Sequence, residues 1–149
     1  MQAKNNFIQK LFFAQTSNGV KIAFFEIENW EKDYIKKALG DFELSFFNEK
    51  LSADNVKQAK DCQVISTFIN SQIDEKILSE LPNLKLIATR STGFDHINMV
   101  EAKKRGIIVC NVPTYGENTV AEHTFGLIFN LSRQIYKSIQ NVREKGFIP

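Results

Sequence analysis

The chain has 149 residues, 43% of them hydrophobic and 24% charged, with a formal net charge of +2. That is enough chain to bury a core of ordinary size, and the composition excludes wholesale disorder. Both signs of charge are interspersed, which gives no electrostatic preference for nucleic acid or an anionic membrane.

Residues 1–20 read as an N-terminal extension, either frayed or docked through Phe12 and Phe13. Gln9 and Lys10 interrupt the apolar run Phe7 to Ala14, so a signal-peptide core is poorly formed. No stretch reaches the ~20 apolar residues of a membrane span. From Lys21 onward, apolar runs alternate with amphipathic segments. Ile22–Ile27 predicts a strand, rich in branched and aromatic residues. Asn29–Leu39 carries Trp30, Tyr34, Ile35 and Ala38 at helical spacing and ends at Gly40. Phe42–Phe47 predicts a second strand, and Ser52 or Asp54 can cap a short helix carrying Val56 and Ala59.

Cys62–Ile69 predicts the third strand, Ile73–Leu81 a helix stopped by Pro82, and Leu84–Thr89 the fourth strand. Asn98–Arg105 reads as a helix ended by Gly106, followed by a fifth strand over Ile107–Val112. Five strand–helix alternations imply a doubly wound, flavodoxin-like α/β domain, a parallel sheet with helices on both faces. Cys62 and Cys110 fall in runs that read as buried strands, where a thiol behaves as a small hydrophobe. Two thiols make no disulfide scaffold, and two histidines without a Cys-x-x-Cys pair give zinc little to build on. The expected compartment is the cytoplasm.

The last segment has a different character. Val120, Thr124, Leu127, Ile128, Leu131, Ile135, Ile139 and Val142 form one apolar stripe, which predicts a single helix from about Thr119 to Lys145. Such a helix spans about 40 Å, against a radius of gyration near 15 Å for a domain of this size. Either it bends back on the sheet or its far half packs elsewhere, and Phe147 and Ile148 favour the second.

Ligands of open α/β sheets sit outside the carboxyl ends of the strands, and three segments belong there. Past the fourth strand comes Arg90-Ser91-Thr92-Gly93-Phe94-Asp95-His96. Gly93 can take φ > 0, so that two or three consecutive N–H groups point at one small anion; read bare, it is a tight turn and no more. Past the fifth strand, Pro113 and Gly116 fix a loop on which Tyr115 offers a hydroxyl and a flat apolar face. Then Thr119-Val120-Ala121-Glu122 reads as a capping box, worth about 1 kcal/mol. His123, beside the apolar stripe, reads as a packing residue, and neighbours Asp95 and His96 make a poor dyad.

The order and spacing of these segments from Leu84 to Arg133 resemble the substrate-binding domain of the NAD-dependent D-isomer 2-hydroxyacid dehydrogenases, similar to D-lactate dehydrogenases. The resemblance implies Ser91, Thr92 and Gly93 as contacts of the substrate carboxylate, Tyr115 as a pocket wall, and Thr119 near the nicotinamide of NAD. It implies domains at 21–118 (substrate binding) and 119–149 (a helix leading into a Rossmann domain that is absent here). It also implies a homodimer for the full-length protein.

In that family the catalytic Arg, Glu and His lie in the other domain, so none is expected in this chain. Arg90, Arg133, His96 and His123 do not occupy those positions. Nor do any two of the seven glycines stand two apart, so no G-x-G-x-x-G fingerprint exists to grip NAD. The chain is expected to supply the carboxylate site of an oxidoreductase acting on a small D-2-hydroxy acid, and to be inactive alone. The alternative is a stand-alone flavodoxin-like module binding a small anion or a protein. A phosphoacceptor receiver is excluded because Asn70, not Asp, follows Ile69.

Overall fold

In the computed structural model, which describes residues 19–146, the five apolar runs form β1 (Lys21–Phe24), β2 (Glu43–Phe46), β3 (Val64–Thr67), β4 (Leu86–Thr89) and β5 (Ile108–Cys110). The expectations for residues 1–18, Phe147 and Ile148 lie outside the described residues. The strands pair in parallel in the order β2-β1-β3-β4-β5, the flavodoxin-like arrangement expected. Ile22 stands opposite Leu44 and Val64, and Ile87 opposite Ile65 and Val109. Each strand is shorter than its apolar run, because the runs carry on into the loops at the sheet edge.

α1 (Asn29–Ala38) opens with the Glu31 carboxylate accepting the Glu28 N–H at 2.7 Å. It ends where Gly40 lets the chain pass close to Lys36, whose carbonyl oxygen a Cβ would meet at 3.0 Å. The next segment is a 3-10 turn over Val56–Ala59, and neither Ser52 nor Asp54 caps it through a side chain. The Asn55 side chain closes the preceding loop instead, accepting from Ser52 N–H and donating to the Lys50 carbonyl. α2 (Glu75–Ser79) and α3 (Met99–Lys104) do have side-chain caps. Asp74 accepts from Ile77 N–H at 2.9 Å and Asn98 from Glu101 N–H at 3.0 Å. Gly106, at φ 69°, stops α3.

Burial splits by strand face. Ala23, Phe25, Ile65 and Ile87 bury against Val56, Ala59, Ile77, Leu78 and Ala102 of the 3-10 turn, α2 and α3. On the other face Ile22, Phe24 and Ile27 pack with Ile35 of α1 and Leu39 at its C-terminal cap. On that same face Leu86 and Ala88 of β4 are half-buried, while Ile108 and Cys110 of β5 are exposed. Cys110 therefore corrects the expectation of two buried thiols. It sits exposed on the edge strand β5, whereas Cys62 is buried.

Among the described residues, those up to Pro113 form one unit and those from Thr114 a second. The second holds α4 (Glu117–Ser132) and α5 (Ile135–Lys145) in place of the single long helix expected. The break is local. Gln134 adopts the left-handed conformation (φ 49°, ψ 40°), and the Asn130 side chain accepts the Tyr136 N–H at 3.0 Å to start the next helix. The apolar stripe runs through the break with its spacing intact, so periodicity gave no sign of it. His123, expected to pack, is exposed.

Two polar residues tie the carboxyl edge of the sheet together. Glu26, just past β1 and itself at φ 56°, accepts from the N–H groups of Phe68, Asn70 and Ser71, the Asn70 side chain and the Ser71 hydroxyl. Arg90, just past β4, donates to the carbonyls of Phe25 and Glu26 at 2.9 and 2.7 Å and to Ser66 Oγ at 3.1 Å. Burial by itself would raise the Glu26 carboxyl, but the hydrogen bonds from Ser71, Asn70 and Phe68 outweigh it and hold it below its ordinary value.

Two expectations follow from the packing and this edge. Ile87→Ala, at the fully buried centre of β4, should cost about 3 kcal/mol in urea unfolding. Glu26→Gln should cost about 1–2 kcal/mol at neutral pH, discounted for partial exposure. A lowered folded-state pKa stabilises above the unfolded value and ceases to as pH falls through the folded one. The gap between the two proteins should therefore be widest near neutrality and close on acidification, as pH-dependent denaturation curves would show.

Candidate functional site

The turn after β4 is built from below by buried hydroxyls. β4 ends on Thr89, whose Oγ1 lies 2.6 Å from Ser91 Oγ, and Ser91 in turn donates to the Gly93 carbonyl at 2.7 Å. Thr89 and Ser91 are each 2% exposed. From the β5 side, the Asn111 side chain donates to the Thr92 carbonyl at 2.8 Å, and Thr92 Oγ1 donates to the Val112 carbonyl at 3.0 Å. The far end of the turn is fixed by a bridge in which Ile73 N–H donates to the His96 carbonyl and Asn98 N–H to the Ile73 carbonyl.

Both carbonyls at the apex, those of Thr92 and Gly93, are thus held by side chains. The N–H groups of Gly93 and Phe94 make no hydrogen bond with any described residue, and Thr92, Gly93 and Phe94 are all exposed. Consecutive, exposed, unspent amides are what binding a small anion requires. The route to them differs from the sequence reading, because Gly93 is not among the glycines of positive φ. Beyond its chain neighbours, a Cβ at Gly93 would meet only Asp95 Oδ2, at an ordinary 3.5 Å. The turn is set by side-chain bonds to its carbonyls, not by a left-handed glycine.

Charged and titratable groups nearby are largely committed. The Arg90 guanidinium is spent on Phe25, Glu26 and Ser66, with Glu31 4.0 Å from Nε. Burial draws its pKa down, and the carboxylates of Glu31 and Glu26 oppose that. His96 is buried and meets Thr89 Oγ1 through Nε2 at 3.2 Å, while Asp95 is exposed, so the pair forms no dyad. Desolvation lowers the His96 pKa against the pull of Glu26 and Asp95. Among the described residues no cluster of three His, Cys, Asp or Glu could hold a metal. No helix among them is long and apolar enough to cross a membrane.

The remaining expected residues lie in the second unit. Tyr115 is 62% exposed in the loop before α4. Thr119 is not the cap: Gly116 precedes the helix, Glu117 is its first residue, and Thr119 sits within the first turn. The capping-box pattern misleads because the loop from Pro113 tightens early, and Val120 N–H already bonds the Gly116 carbonyl at 2.9 Å. Sequence reasoning missed Phe94, Asn111 and the Thr89–His96 contact. An Asn two residues before a Pro and a His after a Gly-containing turn carry no periodic signal.

The family model for the D-isomer specific 2-hydroxyacid dehydrogenase, catalytic domain, matches residues 22–144. A 2-hydroxyacid dehydrogenase homolog of Haemophilus influenzae is 36% identical over 132 residues, covering 86% of this chain and 40% of the relative. The D-lactate dehydrogenase of Escherichia coli is 32% identical over the same shares. The crystal structure of D-lactate dehydrogenase from Aquifex aeolicus, complexed with NAD and lactic acid, superposes with a TM-score of 0.78 at 34% identity. That match covers 86% of this chain and 38% of the solved one. The chain therefore spans about two-fifths of the length of the relatives it matches. Over that span it belongs to the D-isomer specific 2-hydroxyacid dehydrogenase family.

Proposed function

We propose that this chain is the carboxylate-holding portion of an NAD-dependent oxidoreductase that interconverts a small D-2-hydroxy acid and its 2-oxo acid. The observation that carries this reading is the pair of unspent amides at Gly93 and Phe94, beside carbonyls that Asn111 and Ser91 hold in place. A carboxylate has two acceptor oxygens and suits two adjacent donors. Ser91 contributes through its buried hydroxyl, which fixes Gly93, and Thr92 through its place at the apex. The exposed Asp95 opposes an anion here, a repulsion that solvent and salt screen.

Tyr115 would line the substrate pocket and Thr119 would approach the nicotinamide, a reading supported by their exposure and by the family relation. The residues present do not fit a whole dinucleotide, since no glycine fingerprint occurs in the sequence. NAD would accordingly be bound mainly by a domain beyond these residues. That domain would also provide the Arg, Glu and His of the chemistry, because Arg90 and His96 are committed to the fold. When bound, the nicotinamide supplies or accepts the hydride; this chain's part is to anchor the acid end of the substrate. On the same reading the full-length protein is a cytoplasmic homodimer.

Pyruvate titrated into the 15N-labelled chain should move the Gly93 and Phe94 amide signals first, with millimolar affinity. Asn111→Ala should weaken that binding roughly three- to tenfold, the worth of one positioning hydrogen bond. Turn signals that stay fixed at saturating pyruvate would sink the reading. Incubated with NADH and pyruvate, the chain alone should consume no NADH, and measurable consumption would equally count against it.

A further inference from the structure

The carboxylate reading leaves one buried group beside the turn without a role, the His96 imidazole, 8% exposed. Three contacts join it to the apex: His96 Nε2 to Thr89 Oγ1 at 3.2 Å, Thr89 Oγ1 to Ser91 Oγ at 2.6 Å, and Ser91 Oγ to the Gly93 carbonyl oxygen at 2.7 Å. A carbonyl carries no proton, so the Ser91 hydroxyl must be the donor to Gly93. Its single proton spent, Ser91 can meet Thr89 only as acceptor. Thr89 is then committed as donor to Ser91, and can meet His96 only as acceptor. The imidazole must therefore carry a proton on Nε2. No other placement of protons satisfies all three contacts.

This order decides which way the apex peptides face. In a trans peptide the C=O and N–H point in opposite directions, and the described chain has no cis bond. Drawing the Gly93 carbonyl onto Ser91 turns the Phe94 N–H the other way. Asn111 does the same for the Thr92 carbonyl and the Gly93 N–H. The relay lies among residues shielded from water, where a broken link leaves a polar atom unpaired and is costly. Burial also favours the neutral imidazole, which has one ring proton and so a real choice of nitrogen.

We propose that His96 is a positioning residue for the carboxylate site: as the Nε2–H tautomer it heads a one-way relay through Thr89 and Ser91 that fixes the Gly93 carbonyl and so presents the Phe94 amide. The consequence for binding rests on the carboxylate reading of the turn; the proton order does not.

Nitrogen-15 spectra of the histidine rings separate a protonated ring nitrogen from a bare one and need no ligand. In the unaltered chain at neutral pH, His96 should show a protonated Nε2 and a bare Nδ1. Ser91→Ala releases the Thr89 proton to point at the ring, so His96 should become a mixture of both tautomers and the Phe94 amide signal should shift. Thr89→Val, nearly isosteric, should weaken pyruvate binding roughly three- to tenfold. His96→Gln, which can donate from near the Nε2 position, should bind close to normally, and His96→Leu should not. A bare Nε2 in the unaltered chain overturns the proposal. So does a folded Thr89→Val protein that binds pyruvate as tightly as the unaltered one. Should the unaltered chain bind no pyruvate, the carboxylate reading falls, and the ring spectra of that chain and of Ser91→Ala decide the relay alone.

Discussion

Parallel pairing is the constraint from which the rest of this structure follows. Strands that all run one way all end on one edge, so the segments after β1, β3, β4 and β5 leave the sheet side by side. The ladder stops there, and the backbone groups beyond it need other partners. Glu26 serves the segment after β3, Arg90 the segment after β1, and Thr89, Ser91 and Asn111 the turn after β4. Polar residues are concentrated at this edge because the topology leaves unsatisfied backbone there. Much of that backbone is then matched, while the turn after β4 keeps exposed amides without a partner among the described residues, those of Gly93 and Phe94 among them.

What the sequence made legible is what repeats. Five apolar runs and the stop at Gly106 announce themselves through residue type and spacing, and all are present, whereas the caps expected at Ser52 or Asp54 and at Thr119 are not. Single-residue conformations were not legible. Nothing in Gln134 announces a left-handed backbone, so two helices read as one, and nothing in Gly93 shows that its φ stays negative. Long-range polar contacts were invisible for a different reason: Glu26 meets partners 42 to 45 residues away, and no local pattern encodes such a meeting. The turn after β4 was singled out mainly by family resemblance. Its physical basis, carbonyls held so that amides face outward, became visible only with side chains in place.

The second unit shows the limits of local propensity. None of its described residues is buried, and Phe125, Leu131 and Val142 are at least half exposed. Most of a helix's stability comes from packing its apolar stripe, not from its own hydrogen bonds. The exposed stripe, the left-handed break at Gln134 and the short α5 describe helices whose sequence asks for more apolar contact than they make with each other.

The Glu26 carboxylate gives this sheet edge a property beyond its effect on folding. The segment after β3 already holds one carboxylate with the N–H groups of Phe68, Asn70 and Ser71. That carboxylate is covalently tethered, and tethering through even a flexible linker amounts to a local concentration on the order of millimolar or more. A dissolved acid at ordinary concentration competes poorly against it. By occupying these amides with its own side chain, the protein closes them to a free acid.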